Sequence, residues 1–424
     1  MTLDRRQFLI RAGAVGAGLA APASADAQAG TGDAIEARHQ HGRDPLLADG
    51  PLQLSTVADP AARLPAVPFH GVHQAGVVTQ PPPAACFAAF DVLAAGRPAL
   101  AELFQTLTAA ARVLTAGGPA PAGDSGTLGA VLPADGLTVT VGVGTPLFDR
   151  RFGLAPRKPA GLFPMRSFPN DRLDPSQCGG DVMLSICAGS GDTALHALRE
   201  IARSARGAMR IRWRVDGSVS PPRPAGVPRN HQGFKDGIAN PDVRVPDVAG
   251  RLLWLSGGDG PAAWTVGGTY HVIRVIRMFT ERWDQVAVAD QERIVGRRRE
   301  TGAPLGGATE RDVPDYAADP RGRVIPLRAH IRLANPRTVG TEGSRILRRG
   351  YNYDRGIDAH GDLDIGLIFN CFQRDVRRQF EAVQKRLRDE PMAPFISPFG
   401  GGYFFTLPGV RDRSDWFARA LLQP

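Results

Sequence analysis

The spacing of apolar residues divides the chain into two stretches that run through the same series of elements. In the first, His73-Gln74-Ala75-Gly76-Val77-Val78 reads as a short strand. Leu100, Leu103, Phe104, Leu107, Ala111 and Leu114 then recur at intervals of three and four residues, which marks one face of a helix. Residues 137–143 and 181–187 are β-branched, strand-like runs. Asp192 or Thr193 caps a helix running to about Arg206, and 209–215 supplies another strand. The Pro-rich segment Pro221-Pro222-Arg223-Pro224, with Pro228 beyond it, breaks the pattern as a linker would. The series then resumes with a strand at 270–276, a helix at 285–297 and a strand at 365–371. A helix marked by Phe372, Val376, Phe380, Val383 and Leu387 follows, then a last strand at 402–406. Strand then helix at 181–206 is echoed at 365–388. The echo predicts an α+β protein with two ferredoxin-like domains, antiparallel sheets carrying helices, over 63–220 and 221–424.

Length agrees, since 424 residues exceed one average domain. The 50 Gly and 36 Pro imply many turns, but the recurring periodic segments argue for a folded chain. The net charge of +9 is spread over many arginines, with no basic run interleaved with aromatics. A nucleic-acid partner is therefore not expected, while anionic ligands are favoured. At the N-terminus, Asp4-Arg5-Arg6-Gln7-Phe8-Leu9 precedes a mild apolar run from Ala12 to Ala21 and the small-x-small site Ala25-Asp26-Ala27. This reads as a twin-arginine signal over 1–27, followed by a flexible arm over 28–62. The expectation is export of the folded protein by the twin-arginine translocation machinery to the periplasm or beyond, a route that raises the prior for a bound cofactor. The apolar run is too short to span a bilayer, and no later stretch qualifies. Cys86, Cys178, Cys187 and Cys371 include no Cys-x-x-Cys pair, which argues against zinc or iron–sulfur sites. A Cys178–Cys187 disulfide is compatible with an oxidising compartment, while apolar neighbours favour free buried thiols at 86, 187 and 371.

Two stretches carry candidate chemistry. In Gly233-Phe234-Lys235-Asp236-Gly237-Ile238-Ala239-Asn240-Pro241, a carboxylate stands between two glycines on a turn closed by Asn-Pro. By itself this is compatible with a surface turn and a capping Asp. In Arg328-Ala329-His330-Ile331-Arg332-Leu333-Ala334-Asn335-Pro336-Arg337, a single histidine sits among apolar residues, a setting more often filled by a satisfied core or surface histidine. Arg345-Ile346-Leu347-Arg348-Arg349 then pairs arginines after an apolar step, as a solvated basic turn would. The tyrosines and tryptophans read as core residues.

Together with His73-Gln74-Ala75-Gly76, Val295-Gly296-Arg297, Ile346-Leu347-Arg348 and Gly400-Gly401-Gly402-Tyr403-Phe404-Phe405, these motifs resemble the dye-decolorising peroxidases over about 69–421. The likeness is strongest to their exported deferrochelatase/peroxidase branch. The resemblance implies a haem b (iron protoporphyrin IX) enzyme with the haem in the C-terminal domain, reducing hydrogen peroxide and oxidising a small-molecule reductant such as a dye or phenol. It also keeps a rival reading, release of iron from haem with the porphyrin left intact. His330 then matches the axial ligand of the haem iron, and Asp236 and Arg348 the catalytic pair. Arg297 matches the arginine that meets a propionate, with Gly237, Ile238 and Asn240 as further cofactor contacts. Glu390 is implied as the partner of His330, with Asp389 as competitor. An amide that other branches carry two residues past the distal arginine is replaced here by Gly350. Assembly of identical subunits and iron-uptake partners are expected on the same ground.

Overall fold

The computed structural model describes residues 64–257 and 262–423; the signal expected at 1–27 and the arm expected at 28–62 lie outside them. In the N-terminal half, strands β1 (Ala84–Val92), β2 (Thr138–Gly144), β3 (Val182–Ala188) and β4 (Met209–Ser218) carry helices α1 (Gly96–Ala116) and α2 (Gly191–Ser204). Hydrogen bonding orders the strands β2-β3-β1-β4. The C-terminal half contains β5 (Thr269–Met278), α3 (Val288–Val295), α4 (His330–Ala334), β6 (Tyr351–Ile357), β7 (Leu363–Gln373), α5 (Phe380–Arg386) and β8 (Ile396–Thr406). Its order is β8-β5-β7-β6. In both halves the fourth strand lies beside the first, then the third, then the second, which is the ferredoxin-like arrangement expected from the repeated pattern.

The two sheets join at both ends. β2 pairs with β8 over Gly142–Thr406, and β4 meets β6 at Ser218 opposite Asn352. With β5 also paired to β7, eight strands form a closed ring, and closure removes exposed strand edges. The inside is packed by Phe87, Met183, Trp213, Ile273, Val275, Tyr351, Tyr353 and Phe404, all buried. Directly paired residues of antiparallel strands share a face. Ile276 lies opposite Leu367 and Pro398, Arg274 opposite Phe369 and Gly401, and Met278 opposite Ile396. These rows point away from the ring interior and form the sheet side of the cavity described below.

Several elements differ from the pattern-based reading. β1 was not expected, because AACFAAFDV is nearly all buried and shows no polar alternation. His73–Val78 is a bend, not a strand. Gln74 inserts its side chain between strands, donating to Val141 O at 2.7 Å and Leu407 O at 2.8 Å and accepting from Val141 N at 2.8 Å. Gly76 (φ +89°) sits so close to Thr140 that a Cβ there would lie 2.1 Å from its Oγ1. The motif thus locks the end of the β2–β8 seam. The helix at 192 is capped by Ser190, whose Oγ accepts the Thr193 N–H. The helix expected over 285–297 shrinks to α3, which ends at left-handed Gly296. Phe372 belongs to β7, and the last helix begins only at Phe380. All four cysteines are free, with Cys86, Cys187 and Cys371 buried.

Buried His271 of β5 adds a pH dependence. Its Nε2–H donates to Asn370 Oδ1 at 2.5 Å and its ring stacks on Phe372. Burial, above all, holds its pKa down at about 4, with the Asn370 bond opposing and the Arg349 charge assisting. Between that value and the ordinary 6.5, the unfolded chain binds the extra proton and the folded chain does not. Stability is therefore lost as pH falls through this window, by about 3 kcal/mol at most. Thermal melts should show a steeper drop from pH 6.5 to 4 in the parent protein than in His271→Gln; equal slopes would remove His271 as the cause.

Candidate functional site

The cavity lies between the outer face of the C-terminal sheet and the layer formed by α3, α4, α5 and the 228–241 loop. Ile276, Met278, Leu367, Phe369 and Ile396 line it from the sheet, and Val383 and Leu387 from α5 and its end. Every residue expected at the site reaches it: Asp236, Gly237, Ile238, Asn240, Arg297, His330 and Arg348.

The loop is shaped by its own hydrogen bonds. Asn230 N–H donates to Phe234 O, Asp236 N–H to Pro228 O, and Asn230 Oδ1 accepts the Gln232 and Phe234 N–H groups. Gly233 (φ +84°) and Gly237 (φ +92°) take left-handed conformations. At Gly237 an added Cβ would meet no protein atom nearer than 3.8 Å, so the conformation, more than crowding by protein, requires glycine. Asn240 does more than line the cavity. Its Nδ2 donates to Arg348 O at 2.8 Å and its Oδ1 accepts Arg348 N–H at 2.9 Å, a two-point clasp on the Arg348 backbone. Arg348 Nη2 contacts Asp236 Oδ1, and its guanidinium lies 5.9 Å from the centroid of Phe369. Burial pulls the Arg348 pKa below the usual arginine value, yet a guanidinium stays charged at any working pH. A Cβ at Gly350 would stand 3.5 Å from Asp236 Oδ2, so this glycine leaves open the space beside the carboxylate.

His330 opens the short helix α4. Its Nδ1 is 2.6 Å from Glu390 Oε2, and Glu390 is buried. Glu390, not Asp389, is the partner. Burial is the largest influence on the imidazole and lowers its pKa, but the charge and hydrogen bond of Glu390 outweigh it, so the net shift is upward. With Nδ1–H committed to a carboxylate, Nε2 presents its lone pair, the arrangement of a metal-ligating histidine.

Arg297 follows the α3 terminus. Gly296 lets the chain turn tightly against α4, since a Cβ there would lie 2.7 Å from Ile331 Cγ1. Arg297 is 5% exposed and donates only to the carbonyls of Gly302 and Glu310; among the described residues it has no carboxylate partner. Burial lowers its pKa. The Tyr316 hydroxyl and Arg337 Nε lie buried beside each other, and among the described residues neither has a hydrogen-bond partner of good geometry. Tyr316 has no local pattern that marks it in the sequence, and Arg337 enters there only as the last residue of the His330 stretch, without a role. A buried arginine, a half-buried one and a phenol on one wall call for carboxylates. An apolar cavity with a carboxylate-seeking wall and a carboxylate-backed imidazole fits haem, whose propionates Arg297, Arg337 and Tyr316 would meet and whose iron His330 would hold.

Comparison with known proteins agrees. Family models described as Dyp-type peroxidase, N-terminal and C-terminal, match residues 74–218 and 227–411. A curated relative named deferrochelatase, from Escherichia coli (strain K12), is 47% identical over 376 residues, covering 86% of this chain and 89% of the relative. Among solved structures, a DyP-type peroxidase from Cellulomonas bogoriensis is 38% identical with a TM-score of 0.78, covering 85% of this chain and 99% of that one. Ferric DtpA from Streptomyces lividans is 34% identical with a TM-score of 0.79, covering 85% and 98%.

Proposed function

This chain belongs to the Dyp-type peroxidase family, and from that premise we propose that His330, Asp236, Arg348 and Arg297 are the working residues of its haem site. The protein is a haem b peroxidase, reducing hydrogen peroxide and oxidising a one-electron donor. The observation that carries the residue roles is the meeting of two pairs in one cavity, Glu390–His330 and Asp236–Arg348.

When bound, haem supplies the iron that takes up peroxide and holds the oxidising equivalents. His330 Nε2 would hold that iron, with Glu390 keeping the imidazole oriented and electron-rich. Asp236 Oδ1 or Oδ2 takes the proton from one peroxide oxygen and returns it to the other. Arg348, fixed by the Asn240 clasp, stabilises the negative charge that develops as the O–O bond breaks. Arg297 and Arg337 would anchor the haem's carboxylates. Glu390→Gln should leave the fold intact but speed haem transfer to apomyoglobin about 10- to 100-fold. An unchanged transfer rate would remove Glu390 from the support of the ligand.

We further infer export through the twin-arginine pathway to the periplasm or beyond, on the strength of Arg5-Arg6 and Ala25-Asp26-Ala27. The relatives' name motivates a second reading, release of iron from haem with the porphyrin left intact. Peroxide-dependent oxidation of a dye, set against recovery of free protoporphyrin from added haem, separates the two activities.

A further inference from the structure

Among the described residues, a single one from the N-terminal half reaches the cavity. Among the lining residues that precede 227, that residue is Asn170. It lies on a strap, 163–174, that crosses the outer face of the C-terminal sheet. Its neighbour Asp171 has a fully buried carboxylate paired with Arg274 of β5, and the same carboxylate accepts Phe168 N–H at 2.8 Å. The Arg274 guanidinium also lies 5.4 Å from the Phe168 ring centroid. Arg172 N–H donates to Pro398 O and Asp174 N–H to Phe399 O, both at 2.8 Å, on β8. On its other side Phe168 packs edge-on against Phe380 of α5. Asn170 is held from the sheet and from α5 at once, and moving it would break a buried ion pair.

The wall it joins is otherwise hydrocarbon. Ile276, Leu367 and Pro398 share one row of the sheet, next to the row of Arg274 and Phe369. Phe369 in turn lies under Arg348. The Asn170 carboxamide has no hydrogen-bond partner among the described residues. Half-buried, the amide is open to water and to whatever enters the cavity. Haem carboxylates would have Arg297, Arg337 and Tyr316 to meet them, and the remaining edge of a porphyrin is hydrocarbon. The amide is left for a second molecule.

A carboxamide offers an acceptor and two donor hydrogens. Set against aliphatic and aromatic surface, it complements a phenol, whose ring can lie on the wall while its hydroxyl both donates and accepts. We propose that Asn170 determines specificity for phenol-type electron donors, contributed to the haem pocket by the N-terminal half. The proposal rests on the haem-peroxidase reading above.

The test uses the full haem-loaded chain, its Asn170→Ala and Asn170→Leu variants, and Asn170→Ser as a conservative replacement. The probes are 4-methylphenol and its methyl ether, 4-methylanisole. Titration of each into the resting enzyme, read as a perturbation of the Soret band, gives Kd; steady-state turnover of 4-methylphenol gives KM and kcat. Kd and KM for the phenol should rise about five-fold in the Ala and Leu variants, the size of one lost hydrogen bond. Asn170→Ser should recover part of the loss. Binding of the ether, kcat, peroxide kinetics, haem content and the Soret maximum should stay unchanged. Unchanged phenol affinity overturns the proposal. So does an equal weakening of phenol and ether, which would mean packing, or loss of haem in all three variants, which would mean a structural role. Absence of peroxide turnover in the parent protein would defeat the functional reading alone, since the phenol–ether comparison is read from binding.

Discussion

His330→Ala protein should purify with less than about a tenth of the haem that the parent retains, and what it holds should have a displaced Soret band. The imidazole is the cavity's nitrogen donor backed by a carboxylate, and no other described histidine lines the cavity. Truncation has a second consequence. It leaves Glu390, whose side chain is 5% exposed, as a buried carboxylate without its partner, which is destabilising in its own right. The double variant His330→Ala/Glu390→Gln separates the effects: it should regain thermal stability but not haem. Recovery of haem in the double variant would mean that the ligand is a different residue.

The second large effect concerns peroxide. In stopped flow, the peroxide-induced change in the Soret band should slow about 10²- to 10⁴-fold in Asp236→Asn, which loses the proton carrier. Arg348→Leu should slow it about 10²- to 10³-fold, by removing charge stabilisation. Because the two side chains touch, their effects should be far from additive, and the double variant should be little slower than the worse single one. Both variants should bind haem with an unchanged resting spectrum. Parent-like rates in both would take the pair out of the mechanism, leaving it as a structural ion pair.

Much of this arrangement was legible in the chain because it depends on local patterns. The helix of Leu100 to Leu114 and the strands around Val141, Ile186 and Ile273 stand out by periodicity, and their repeated order carried the ferredoxin-like reading. Failures came where tertiary context overrode local pattern. β1 is alanine-rich and paired on both sides, so its burial leaves no alternation to read. The apolar spacing from Phe372 to Leu387 looks helical, but Phe372 faces His271 across a strand pair. At the site, Asp236, His330 and Arg348 were found as residue types in motifs, and Glu390 was weighed against Asp389 without a geometric criterion. Only the fold brings Nδ1 of residue 330 to Oε2 of residue 390. The clasp of Asn240 on Arg348 spans 108 residues, and Asn170 reaches the cavity from the other half of the chain. Neither relation has a sequence signature.

The central claim is that one cavity both seats haem and handles peroxide. It is tested most directly by titrating haem into the apoprotein, then adding one equivalent of hydrogen peroxide and, after that, a one-electron donor. The expected course is a Soret band that grows to an end point of one haem per chain, changes on peroxide and returns on reduction. A protein that takes up no stoichiometric haem, or whose Soret band does not respond to peroxide, would contradict the account.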